Sequence, residues 1–422
     1  MGSQAELGMN MAKDAQGPDQ RKTVLWLTYG LPWPTDRGGA IRYFNLIRQV
    51  AERYRVLLFA VLESADEARH VPKLASLCDR VEWAVMRAGS ATERARDLLG
   101  HLLRGRPLAT WAYCSRSLET KLRALVGSGA VDILQIEHSF LAPFRDAVPD
   151  GSLCRTILSF HNLGETQYRS MLGMQSGALA KLGFLVKAIL MRGWEARHAA
   201  RFDRCLAVSE IEAQRLRAVV PGTAVSLVPN GVDTAALRPL PEAAASKRLI
   251  FVGHLRYPPN VDAVRFLANR ILPALRARIP EARLTVVGDG VPGVLGEFAG
   301  RNDIELVGRV PCPLPYYQDA HVAVVPLRAG GGTRLKILEA MALGRPVVST
   351  SLGCEGLAVE HGKHLLIADR ADDFAAAVAR LLSDRALATR LTLQARALVE
   401  KDYDWTGIAD RLLRVYDELL AV

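Results

Sequence analysis

The residues best suited to chemistry lie between positions 330 and 339: Gly330-Gly331-Gly332, then Thr333, Arg334, Lys336 and Glu339. Three consecutive glycines leave backbone N–H groups open to close approach. Such a loop ahead of a helix is a receptor for anions, because the first helical turn carries unsatisfied donors and the positive end of the helix dipole. Arg334 and Lys336 fall where that dipole disfavours cations, a penalty that a bound polyanion would reverse. Glu339 shares the face of Lys336 one turn on and could accept hydrogen bonds from hydroxyls beside such an anion. A glycine turn with solvated basic residues is the other reading of the same spacing.

Elements that position this loop are legible around it. Val322 to Val325 is a short apolar run closed by Pro326, and Pro346 to Ser349 is another, with helical apolar spacing at Leu335, Leu338, Met341 and Ala342 between them. The order strand, loop, helix, strand is a βαβ unit.

With 422 residues, half of them hydrophobic, the chain suits two domains near 200 residues each. A formal charge of +10 and a pI near 9.5 favour anionic partners: phosphorylated metabolites, acidic membrane surfaces or nucleic acid. Neither zinc-finger spacing nor an aromatic RNA-binding signature supports nucleic acid. The six cysteines (78, 114, 154, 205, 312, 354) form no Cys-x-x-Cys pair and read as reduced, mostly buried thiols of a cytosolic protein. Residues 1–22 are polar, without an apolar core, and are expected to be a disordered extension. No uncharged apolar run of about 18 residues is present, so no spanning helix is expected.

Along the chain, strands are expected at 23–29, 56–61, 81–85, 133–137, 156–160, 205–209 and 225–228, with helices at 40–51, 91–104, 115–126, 177–204 and 210–219. Gly38 and Gly39 sit between the first strand and first helix, as a plain turn or as a place where backbone approaches a ligand. His161 follows the strand 156–160, at the carboxyl edge where open α/β sheets bind ligands. Between 177 and 204, Lys181, Lys187, Arg192, Arg197, Arg201 and Arg204 are interleaved with leucine, isoleucine, phenylalanine and tryptophan. That suits either a helix lying on an anionic bilayer or a surface helix whose apolar side packs on the domain. A proline- and alanine-rich stretch, 237–247, reads as a linker, after which the alternation restarts. Strands are expected at 249–252, 284–287, 304–307, 322–325 and 346–349, and helices at 261–279, 370–383, 385–401 and 405–420. Two such runs predict two doubly wound sheets facing a central cleft.

With these pieces placed, the sequence resembles the retaining glycosyltransferases of family 4 (group 1), which have the GT-B fold of two Rossmann-like domains. The resemblance rests on Gly38-Gly39, His161, Val208-Ser209-Glu210, Pro229-Asn230-Gly231-Val232-Asp233, Gly253-His254 through Asn260, Val286 to Asp289, and Leu338 to Val348. It implies an N-terminal acceptor domain (23–236), the linker, a nucleotide-sugar domain (248–402) and a final helix (403–422) that crosses back to the N-terminal domain. It further implies transfer of a sugar from a nucleoside diphosphate sugar to a glycan, lipid-linked or small-molecule acceptor, without cofactor or metal. Gly330, Gly331, Gly332 and Thr333 would cap the diphosphate, Arg334 or Lys336 would supply charge, Glu339 would hold the ribose and Val310 would meet the base. His161 would contact the transferred sugar. Bacterial surface-polysaccharide transferases are the similar subset, with a cytoplasmic location at the inner face of the membrane.

Two departures stand out. Gly331 occupies the first acidic position of the family's Glu-x7-Glu pattern, and His254 stands where a phosphate-binding arginine is expected, with Arg256 nearby but out of register. Arg334 and Lys336 are therefore expected to take over that charge. A nucleotide-sugar epimerase of the same fold, a natural-product glycosyltransferase and a degenerate nucleotide-sugar binding protein are the competing readings.

Overall fold

The computed structural model describes residues 21–86, 92, 95–96, 98–100, 110, 113, 116–149, 151–241, 247–290 and 293–421. The expected extension (to residue 20), most of the expected helix 91–104, Cys114 and positions 242–246 of the linker lie outside them. The other five cysteines are free thiols, as the spacing predicts.

The chain packs as two units. The first takes residues up to Glu165, Val186–Val228 and Ala409 onward, and the second takes Thr166–Leu185 and Pro229–Ile408.

In the first unit, β1 (Thr23–Tyr29), β2 (Arg55–Leu62), β3 (Arg80–Val85), β4 (Ile133–Glu137), β5 (Arg155–Phe160), β6 (Arg204–Ala207) and β7 (Val225–Leu227) form one parallel sheet in the order β3-β2-β1-β4-β5-β6-β7. Its central strands are near-continuous apolar runs because helices cover both faces of a parallel sheet; Val24, Leu25, Trp26 and Leu27 are wholly buried. Helices α1 (Gly38–Val50), α2 (Arg116–Gly127), α3 (Gly164–Ser170), α4 (Ala178–Ala199) and α5 (Glu210–Val219) follow in chain order, the residues of α3 and α4 within Thr166–Leu185 belonging to the second unit. Ser209 caps α5 by accepting the Glu212 amide at 3.2 Å.

The second unit carries β8 (Arg248–Val252), β9 (Arg283–Val287), β10 (Ile304–Gly308), β11 (Val322–Val325), β12 (Val347–Ser349) and β13 (Leu366–Ile367), ordered β10-β9-β8-β11-β12-β13. The helix expected at 261–279 starts three residues early as α6 (Pro258–Phe266), widens into a π turn at Leu267–Ile271 and continues as α7 (Leu272–Arg276). Pro273 explains the break: its ring crowds the carbonyl four residues back and it has no N–H to donate. α8 (Leu314–Asp319), α9 (Leu335–Ala342), α10 (Ala371–Ser383), α11 (Arg385–Asp402) and α12 (Trp405–Leu420) complete the chain.

The described start of the linker stretch is anchored within the second unit. The Leu240 amide donates to the Leu343 carbonyl at 3.0 Å, and Arg345 and Arg396 donate to the carbonyls of Pro241 and Leu237, each at 2.6 Å.

Gly288 is the tightest point in this unit. A Cβ there would lie 1.8 Å from the Gly253 carbonyl oxygen, at a φ of +156°. Gly288→Ala is therefore expected to lower stability by about 3 kcal/mol or more, read as a shift of the denaturation midpoint; an unchanged midpoint would contradict this packing.

Candidate active site

In the first unit, the carboxyl edge of β4 and β5 gathers a buried polar cluster. Gln135 and Glu137 alternate on one face of β4, and Glu137 pairs in register with Ser159, two residues before His161. His161 Nε2 lies 2.7 Å from Glu137 Oε2. Gln135 donates through Nε2 to the other carboxylate oxygen at 2.6 Å, and the Tyr416 hydroxyl of α12 donates to Gln135 Oε1 at 2.5 Å. Tyr43 of α1 bonds His138 Nε2 through its hydroxyl at 2.8 Å, and the His138 and His161 ring centroids are 4.0 Å apart. His138 has a φ of +78°, which no other non-glycine among the described residues shares; such backbone is retained where surrounding structure enforces it.

Electrostatics sort these groups. Burial alone would raise the Glu137 carboxyl, but His161, Arg42 and Gln135 hold it below its ordinary value. Burial lowers His161, against the opposing pull of Glu137. His138 is driven well below its ordinary value by burial and then by the charge of His161 and Arg42. The side chain of His161 is 13% exposed and that of Glu137 is 0% exposed, so His161 is the reachable end of the pair and Glu137 its support. With Nε2–H committed to the carboxylate, a neutral His161 presents Nδ1 as an acceptor.

In the second unit, the glycine loop leads into α9, which begins at Leu335 with Arg334 as the preceding cap residue. Arg334 folds back, its Nη1 donating to the Gly331 carbonyl and, at 2.8 Å, to that of Gly332. It thus braces the loop. Asn230 donates to the Thr333 hydroxyl at 2.7 Å, the Gly330 amide donates to Ser170 Oγ at 2.9 Å, and the Gly331 backbone bonds the Tyr257 hydroxyl. Two of the loop groups expected to face an anion are thus capped by hydroxyls, which a phosphate oxygen could replace in kind.

Lys336 is the second focus. Its Nζ donates to Asn260 Oδ1 at 3.0 Å and sits 4.1 Å from the Phe251 ring centroid. Glycine at position 253 leaves room for this, since a Cβ there would lie 2.7 Å from Nζ and displace the tip of the lysine. Burial, and then the charge of Arg334, push the Lys336 ammonium down to about 7, with Glu339 opposing. Burial raises the Glu339 carboxyl, with Lys336 opposing.

Of the remaining expected site residues, Gly38 and Gly39 open α1, with room beside Gly39 limited by the Tyr43 hydroxyl, 3.2 Å from where a Cβ would lie. Val310 follows β10 and packs against the core of the second unit. Arg256 turns its guanidinium to Asp289, Nε to Oδ2 at 3.3 Å, and His254 lies 4.0 Å from the same oxygen. Glu137, His138, Tyr43, Gln135, Asn260 and Tyr257 were not expected as site residues. Among the described residues, no group of three or more His, Cys, Asp or Glu side chains is placed to hold a metal ion.

Known proteins share this plan. A model described as Glycosyltransferase Family 4 matches residues 37–236, and one described as Glycosyl transferases group 1 matches residues 246–384. The chain belongs to glycosyltransferase family 4. A 44.6 kDa protein in the cps region of Klebsiella pneumoniae is 22% identical over 394 residues, covering 90% of this chain and 96% of its own length. Among solved structures, sucrose-phosphate synthase from Thermosynechococcus elongatus superposes with a TM-score of 0.72 at 19% identity, over 95% of this chain and all (100%) of that one. Anabaena HepE in complex with UDP and glucose gives 0.66 at 15% identity, over 94% of this chain and 100% of that one. The fold is therefore the two-domain GT-B class of family 4, and the activity is glycosyl transfer from a sugar nucleotide to an acceptor.

Because His138 and His161 are held below their ordinary values, the unfolded chain takes up protons near pH 6.5 that the folded unit does not. Stability they contribute is complete above that pH and is lost as the pH falls below it. Denaturation at pH 7.5 and 5.5 should show a lower free energy at 5.5, and His138→Asn, whose residue type tolerates positive φ, should shrink the difference by about 1 kcal/mol. An identical pH dependence in the variant would contradict a neutral imidazole at His138.

Proposed function

We propose that this family 4 enzyme transfers a sugar with retention of configuration and without a metal, holding the donor diphosphate between the 330–333 loop and Lys336. One observation carries the reading: Lys336, its Nζ 3.0 Å from Asn260 Oδ1, lies on the first turn of α9 beside a loop of three glycines, where burial pushes its ammonium down to about 7. Without a ligand, its proton is held weakly. A diphosphate alongside would restore the ammonium and receive a charge-assisted hydrogen bond, strongest as negative charge develops on the leaving oxygen.

Arg334 then acts through the loop it braces, Glu339 accepts from ribose hydroxyls, and His161 meets the transferred sugar. In the reaction the bond from the anomeric carbon to the diphosphate oxygen breaks and the electron pair leaves with the diphosphate. The acceptor oxygen bonds the same carbon from the same face, and its proton passes to the departing phosphate. The likeness to a protein solved with UDP and glucose supports a sugar nucleotide donor. The relative in the cps region supports a place in surface-polysaccharide assembly.

A second reading has one observation in its favour. Glu137, His138 and His161 form the acid–histidine cluster that an epimerase of this fold would need. Recovery of a donor epimerised at C2 would favour it over transfer.

Calorimetry with UDP, GDP and dTDP from pH 6 to 8.5 tests the role of Lys336. For the nucleotide that binds, affinity should weaken as pH rises above 7, by up to about tenfold per unit. Lys336→Arg should flatten that dependence, and Lys336→Met should lose about tenfold or more at pH 6. Unchanged affinity in Lys336→Met would exclude Lys336 as the diphosphate partner.

A further inference from the structure

We infer that helix α4 is a docking surface for an anionic lipid bilayer and lies in the plane of that surface. Helices on protein surfaces normally turn their apolar residues inward. Over Ala178–Ala199 the inward face is made by Ala188, Met191, Trp194, Glu195, His198 and Ala199. The outward face is apolar as well: Leu179 is 86% exposed, Leu182 56%, Val186 46%, Ile189 56% and Leu190 52%. Ten large hydrophobic residues among the described residues are more than a third exposed, and five of them are on this one helix. Their spacing of three and four residues places them on one stripe about 100° wide.

Charge selects the occupant. On the same helical geometry Lys187 lies on one flank of the stripe, and Lys181 and Arg192 on the other. Arg192 also reaches Glu165 Oε2 at 3.5 Å. The helix has one acidic residue, Glu195, which is buried and accepts from Ser139 Oγ and the Gly164 amide, each at 2.9 Å. Its outward side therefore offers cations and apolar groups without a carboxylate, the pattern that partitions into an anionic headgroup layer. A two-fold pairing with a second copy would bury the stripe but set flanking cations against cations, with no exposed helix carboxylate to offset them. No helix among the described residues is long and apolar enough to cross a membrane, so the contact is interfacial.

Flotation of the full chain with vesicles of phosphatidylcholine, alone or with phosphatidylglycerol, tests this. At least about tenfold more protein should float with the anionic vesicles, less as salt rises. Leu182→Glu combined with Ile189→Glu, and Lys181→Glu combined with Lys187→Glu, should each return binding to the phosphatidylcholine level. These side chains are exposed, and circular dichroism melting checks that the variants fold. Equal binding to both vesicle types, or full binding by the Leu182→Glu/Ile189→Glu variant, would overturn the inference. So would a wild-type dimer that the same variant converts to monomer while neither protein floats.

Discussion

A carboxylate with no solvent-exposed surface sits on the central strand of the first unit. Glu137 has no exposed surface, and a charge so placed costs several kcal/mol unless partners surround it. Its partners come from separate parts of the chain: the Arg42 charge from α1, Gln135 from its own strand and His161 from beyond β5. Through Gln135 the set extends to Tyr416 of α12. A buried ion tolerates little slack, so these elements are held in mutual register by the cost of leaving Glu137 unsatisfied. The same helix adds Asp417, which accepts from the Tyr54 hydroxyl at 2.8 Å. The last helix thus packs in the first unit, as the family resemblance implies, and its Tyr416 is two hydrogen bonds from the carboxylate that orients His161.

The second unit handles a half-buried charge in the opposite way. Glu137 stays ionised because counter-charge and donors are built in. Among the described residues Lys336 has one side-chain acceptor, Asn260, and an aromatic face beneath it, which leaves its proton weakly held at neutral pH. A site finished in advance suits a residue that must keep one orientation. A site left incomplete suits one whose partner arrives with the substrate. The loop follows the same logic, with Ser170 and Tyr257 hydroxyls on its backbone groups where phosphate oxygens would sit.

Much of the fold was legible in the sequence because parallel strands buried on both faces leave short apolar runs closed by glycine or proline. Ile133–Glu137 and Val322–Val325 fall where those runs predict. Others shift by a residue or two, since apolar character does not mark where strand pairing stops. The two-residue β13 carries too little sequence to read, and the π turn at Leu267–Ile271 lies just before Pro273, where apolar spacing continues unbroken and does not mark the missing N–H. The glycine loop, Lys336 and Glu339 were legible because their spacing is local. The Glu137–His161 pair was not, because the two residues are 24 positions apart and meet only through strand pairing. A signal was available: Gln135 and Glu137 alternate inside an otherwise apolar strand, where buried polar groups need partners. Gly253 carried a second, a glycine at a strand end that marks the close approach of another side chain.

Turnover decides the account most directly. The purified chain, incubated with UDP-, GDP- and dTDP-sugars in EDTA, should release nucleoside diphosphate from one of them, by transfer to an added acceptor or slowly to water. Proton NMR of the product should show the anomeric configuration of the donor kept. Release that stops in EDTA and returns with a divalent cation, an inverted product, or a donor returned epimerised at C2 would contradict metal-free retaining transfer.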